Sequence, residues 1–165
     1  MSETETILKN AILLEKRGKA FYQKVADQAQ SEAVKEFFKL MADEEVTHIK
    51  ILSTQFKQYK SRKGFGRMDF KRTDHDRIAS SILTKDLKKE ISAADFEAAA
   101  IGAAISMEKH AIELYSSRAT ATADPQEKKL YQWLADWERE HLNALTAIDK
   151  ELKEKIWNDN SFWPS

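Results

Sequence analysis

Two stretches of this chain repeat one pattern 93 positions apart, and that repeat limits the possible folds more than any other feature. Glu15 falls on Glu108, Tyr22 on Tyr115, Glu45 on Glu138 and His48 on His141. Ala11, Ile12, Lys16, Ala26, Lys35, Ala42, Asp43 and Leu52 also meet identical residues, making twelve identities over residues 10–53 with no gap. Unrelated sequence of ordinary composition would give roughly three. A shared bias toward helix formers explains matched Ala and Lys but not matched Glu, His and Tyr. Duplication of one unit, giving two-fold pseudosymmetry, is the simpler account.

The repeated unit reads as a helical hairpin. Apolar positions Ile7, Ala11, Leu14, Gly18, Phe21, Tyr22 and Val25 keep helical spacing over residues 6–28. Phe37, Leu40, Met41, Ile49, Leu52 and Phe56 mark the inner side of a second helix over 32–59, with Ser31 as its N-cap. A third helix is expected from about residue 93 to 120, opened by Ser92 with Asp95 three positions on. A fourth spans 125–156, with Asp124 as N-cap and Pro125 in the first turn. The short links at 29–31 and 122–124 make each pair antiparallel, whereas 32 residues, 60–91, connect the two hairpins. That connection is long enough to cross the bundle, and a short helix is expected in it near 74–83. The predicted fold is all-α: a four-helix bundle of two antiparallel hairpins joined by a long crossover, occupying 1–156 as one domain, with an aromatic tail at 157–165.

Composition closes off other chemistry. The chain has no Cys, which excludes disulfides, thiolate zinc sites, iron–sulfur clusters and cysteine nucleophiles. Its 27 basic residues balance 27 acidic ones, which argues against nucleic-acid binding. No apolar run reaches the ~18 residues of a membrane span. The polar, acidic start is no secretory signal, so a cytoplasmic location is expected.

The repeated residues have the chemistry of a dinuclear metal site. Glu and His three apart are separated by about 300° around a helix, so both reach a common ion from one flank. Glu45 with His48 and Glu138 with His141 supply that pair twice, and Glu15 and Glu108 add one carboxylate from each remaining helix. Four carboxylates balance two divalent ions, and without the ions such a set would be costly to bury. Oxygen-rich ligation with imidazole suits iron or manganese; zinc fits but has no redox chemistry.

Other positions carry two readings each. Tyr22 and Tyr115 follow their Glu by seven residues, two turns along the same face, and either bond a ligand carboxylate, serve redox chemistry, or fill the core. Gly18 and Ala111 stand one turn after Glu15 and Glu108, leaving room for a small oxidant or for close packing. Glu44, whose repeat partner is Trp137, is expected to be solvated, the other reading being a hydrogen bond to a ligand His. His75 and His110 read as ordinary polar histidines. Residues 57–72 hold seven Lys/Arg against Asp69, with Phe65 and Phe70 between them, and read as a solvated loop, the other reading being a contact with an anionic partner or nucleic acid. Trp157, Phe162 and Trp163 are expected to pack on the bundle or on a second subunit.

With Glu15 and Tyr22, the run Ala42-Asp43-Glu44-Glu45-Val46-Thr47-His48, Glu108 and Tyr115, and Glu138-Arg139-Glu140-His141, the sequence resembles the rubrerythrin-like branch of the ferritin-like superfamily. The resemblance covers nearly the whole chain. It implies a ferritin-like bundle with two iron ions, bridged by Glu45 and Glu138 and completed by Glu15, Glu108, His48 and His141. It also implies peroxide or dioxygen as oxidant and a homodimer as assembly. Full-length rubrerythrins carry a four-Cys rubredoxin domain; a chain without Cys takes electrons from a separate donor protein. The family also tends to place a further carboxylate one turn before the third-helix ligand. Ala104 and Ile105 stand there, so the set is similar to the six-ligand pattern of bacterioferritin. Besides peroxide or dioxygen reduction, ferroxidation for iron storage or delivery, an oxygenase, and a purely structural metal bundle fit these residues.

Overall fold

A computed structural model describes residues 1–68 and 96–158 of the chain. Four helices make up the fold: α1 (Glu3–Gln28), α2 (Glu32–Arg62), α3 (Phe96–Ala121) and α4 (Pro125–Asn158). No strand occurs among the described residues.

Helix ends follow from local chemistry. Ser2 starts α1 three residues before the apolar spacing indicates, because its side chain accepts from the Glu5 amide at 3.2 Å. Ser31 accepts from the Val34 amide at 3.4 Å and opens α2. That helix runs to Arg62 rather than to residue 59; nothing breaks it until Lys63 takes the left-handed conformation at φ 57°. Asp124 accepts from the Gln126 amide at 2.8 Å and the Glu127 amide at 3.4 Å, and Pro125, which needs no acceptor, begins α4.

Within each hairpin the helices pack along their length, α1 on α2 and α3 on α4, while α1 and α3 meet between the hairpins through side chains of both apolar clusters. The core falls into two apolar clusters. Tyr22, Phe38, Met41, Ile101 and Leu145 belong to the first. Leu8, Leu52, Tyr115, Tyr131 and Leu134 belong to the second. The clusters are counterparts under the repeat: Tyr22 stacks on Phe38 at 6.0 Å, and Tyr115 stacks on Tyr131 at 5.8 Å. Helix α2 finishes beside the second cluster and α3 begins beside the first. The connection between them therefore joins opposite ends of the bundle.

The expected short helix near 74–83, the Ser92 cap and His75 lie outside the described residues, as do Phe162 and Trp163. Trp157 continues α4 and is 71% exposed on the single chain. Lys57, Lys60 and Arg62 continue α2 rather than lie in a loop, because nothing breaks the helix before Lys63; with Lys63 and Arg67 they are exposed, as expected of a solvated basic segment. Among the described residues, no helix is long and apolar enough to cross a membrane.

Candidate metal centre

Between the two apolar clusters lies a layer of buried charge. Glu15 from α1, Glu45 and His48 from α2, Glu108 from α3, and Glu138 and His141 from α4 are all 3% exposed or less. They form two overlapping groups, Glu15–Glu45–His48–Glu138 and Glu45–Glu108–Glu138–His141, each offering ligand atoms within 4.8 Å of one another. Glu45 and Glu138 are common to both.

Both imidazoles turn Nδ1 inward. His48 Nδ1 lies 2.9 Å from Glu138 and 3.4 Å from Glu15. His141 Nδ1 lies 3.2 Å from Glu138 and 3.3 Å from both Glu45 and Glu108. Yet Glu45 Oε1 and both Glu138 carboxylate oxygens, though fully buried, have no well-aligned hydrogen-bond partner, these imidazoles included. Buried carboxylate oxygens are otherwise satisfied. The donor atoms thus converge on shared points rather than on one another, which is the arrangement a pair of cations requires. The residues present fit two metal ions.

Residues 6–149 match the family model described as Rubrerythrin. The chain belongs to the rubrerythrin family. No curated protein and no solved structure matches it.

The two repeated tyrosines reach across the bundle. Tyr22 on α1 donates to Glu108 on α3, and Tyr115 on α3 donates to Glu15 on α1 at 2.5 Å. Each Tyr therefore orients the carboxylate of the opposite hairpin, not the Glu that precedes it. Burial first, then the adjacent carboxylate, holds each phenol well above its ordinary range, so both stay protonated donors.

Without metal, protons take up the charge. Burial, reinforced by Glu138 and Glu15, pushes Glu45 well above the usual carboxylate range. Burial and Glu138 do the same to Glu108. Burial also pushes on Glu138, but the adjoining Glu108 carboxyl and the two imidazoliums outweigh it and hold Glu138 well below that range. Burial pulls His48 down, and the carboxylates of Glu15 and Glu138 overcome it, leaving His48 at about 10. His141 is raised in the same way by Glu108 and Glu138. The metal-free cluster is a proton store whose occupants cations would displace.

Glu44 overturns its expected solvation. It is 4% exposed, accepts from Trp137 Nε1 at 3.2 Å, and takes the outer nitrogen of His141, Nε2, at 3.1 Å. The sequence offered one clue: its repeat counterpart is Trp137, a residue too large and apolar for a solvated face. His110 is exposed, as expected.

A cavity of about 190 Å³ opens between α1 and α3 and reaches Glu45, Glu108 and Glu138. Gly18, Ala111, Leu14 and Met107 line it, with the exposed Arg17 and His110. Gly18 serves close approach as well: a Cβ there would sit 3.2 Å from Glu45 Oε2. The position open to a small oxidant is thus also the one that must stay small for a ligand carboxylate.

Proposed function

We propose that this chain is a di-iron redox protein that reduces hydrogen peroxide or dioxygen with electrons from a separate donor protein. The observation that carries the reading is the sharing of Glu45 and Glu138 by two buried Glu/His groups beside an open cavity. Glu45 and Glu138, common to both groups, would hold both metals; Glu15 with His48 and Glu108 with His141 would complete one position each. When bound, two ferrous ions would supply the two electrons that, with two protons from solvent, reduce one hydrogen peroxide to two waters. Manganese or zinc can take the same ligands. The chain's own residues do the rest. Tyr22 and Tyr115 fix the terminal carboxylates, Glu44 fixes His141, and the apolar clusters on either side keep bulk water from the layer. The chain has no Cys, so it brings no thiolate-ligated donor centre of its own.

The test is anaerobic reconstitution followed by one equivalent of peroxide. Two irons per chain and rapid two-electron oxidation are the expected result. A chain that takes up only zinc, or whose iron is untouched by peroxide, overturns the proposal.

Ferroxidation for storage or delivery is the second reading, favoured by one observation. Ala104 is fully buried on α3, one turn before Glu108, so no further carboxylate joins the six residues from that position. Light scattering separates the readings: a hollow multi-subunit shell supports storage, and the homodimer we propose does not.

A further inference from the structure

The two halves of the centre match in every ligand but differ in what stands behind the imidazoles. Behind His141 is Glu44, whose Oε2 lies 3.1 Å from Nε2. Glu44 cannot swing away easily, because its other oxygen accepts from Trp137 Nε1 at 3.2 Å. Behind His48 the repeat puts Trp137 itself. The indole meets the imidazole edge-to-face, centroids 4.5 Å apart at 83°, with Trp133 a further ring at 5.8 Å and 73°. His48 Nε2 is fully buried and has no hydrogen-bond partner among the described residues.

This difference acts on metal binding. A carboxylate accepting from the outer N–H fixes the ring, selects the tautomer with Nδ1 free to ligate, and makes that nitrogen a stronger donor. Glu44 also adds a negative charge on one side of the pair, where water is excluded and charge is weakly screened. The aromatic edge behind His48 supplies neither a strong acceptor nor a charge.

Resting on the two-metal reading above, we infer that the metal positions are inequivalent. The position formed by Glu108 and His141 binds the first ion and holds it more tightly; the position formed by Glu15 and His48 is the weaker, exchangeable one. Glu44 is the positioning residue that creates the difference, and Trp137 anchors it.

The experiment is a calorimetric titration of the full-length, metal-free protein with Mn(II), and with Co(II) followed by its visible absorption. Neither metal needs an oxidant or donor for the readout. Two binding steps at least about tenfold apart are expected. Glu108→Gln should remove the tighter step and Glu15→Gln the weaker one. Glu44→Gln keeps an amide oxygen for Trp137 and so preserves packing. It should weaken the tighter step about 10- to 100-fold, the usual effect of losing such a partner, and shift the Co(II) spectrum of that position only. The wild-type titration needs no variant to fold. Two indistinguishable steps, or loss of the tighter step in Glu15→Gln, overturn the inference while leaving the two-metal reading intact. So does a Glu44→Gln protein with altered melting but unaltered affinities. No uptake of either metal by the wild type overturns both.

Discussion

Tyr115 reaches across the bundle to donate its hydroxyl to Glu15 at 2.5 Å, and Tyr22 makes the reciprocal bond to Glu108. Each bond links α1 of one hairpin to α3 of the other. Tyr115→Phe keeps the ring stacked on Tyr131 but leaves a buried carboxylate oxygen without its donor. It should cost about 1–3 kcal/mol in urea unfolding of the metal-free protein. It should also weaken metal binding about 10- to 100-fold. Tyr22→Phe should behave alike. A variant with wild-type stability and affinity would show that the hydroxyls are incidental.

The two mid-helix glycines should respond in opposite ways to Ala. Gly102 faces open space, with nothing within 4 Å of an added Cβ. Gly102→Ala should therefore stabilise the protein by about 0.4–1 kcal/mol. At Gly18 the new methyl would stand 3.2 Å from Glu45 Oε2. Gly18→Ala should lose that gain and lower metal affinity by displacing Glu45. Thermal melts and metal titration of both variants check the contrast.

Stability of the metal-free protein should fall as pH rises. His48 is lifted from its ordinary 6.5 to about 10, so its contribution is complete below pH 6.5 and is lost as pH climbs through about 10. Glu45 and Glu108 are also raised, and their contributions likewise fade with rising pH. Glu138 is lowered and works the other way: its contribution is present above pH 4.5 and is lost as pH falls. Between pH 6.5 and 10 the raised groups dominate. Metal binding displaces these protons, so the gain in melting temperature on adding Mn(II) should grow from pH 6.5 to pH 9. A metal-free melting temperature that rises across this window would contradict the assigned charge states.

Arg118 ties three helices together. Its Nε donates to Glu127 at the start of α4, and its Nη2 donates to Thr4 on α1 at 3.2 Å. Glu127 is 3% exposed and would be stranded without the guanidinium. Arg118→Met should destabilise by about 3 kcal/mol, and adding Glu127→Met should recover most of that loss. Denaturant unfolding of the two singles and the double gives the coupling directly.

The bundle and its ligand set were legible in the sequence because both obey helical periodicity. One offset of 93 aligned Glu15, Tyr22, Glu45 and His48 with their counterparts, and only a layered two-fold bundle brings all of them to one place. What stayed hidden depended on contacts between helices. Seven residues of helix rise about 10 Å, too far for Tyr22 to reach Glu15, but the period does not say whose carboxylate it meets instead. Glu44 sits about 100° around α2 from Glu45, on a boundary that spacing alone assigns to solvent. Its burial is decided by Trp137 and His141, which arrive from α4. The early start of α1 rests on Ser2, a cap with no apolar position to announce it.

Glu44 and Trp137 occupy the same place in the two hairpins, yet they bond to each other. A position lying on a two-fold axis always faces its own copy. Were the two hairpins identical separate molecules, that place could hold only Glu against Glu, two buried like charges, or Trp against Trp, two donors with no acceptor. Carrying both hairpins on one chain lifts the restriction. An acceptor can then answer a donor at the axis itself, and symmetry that builds the ligand set need not extend to what tunes it.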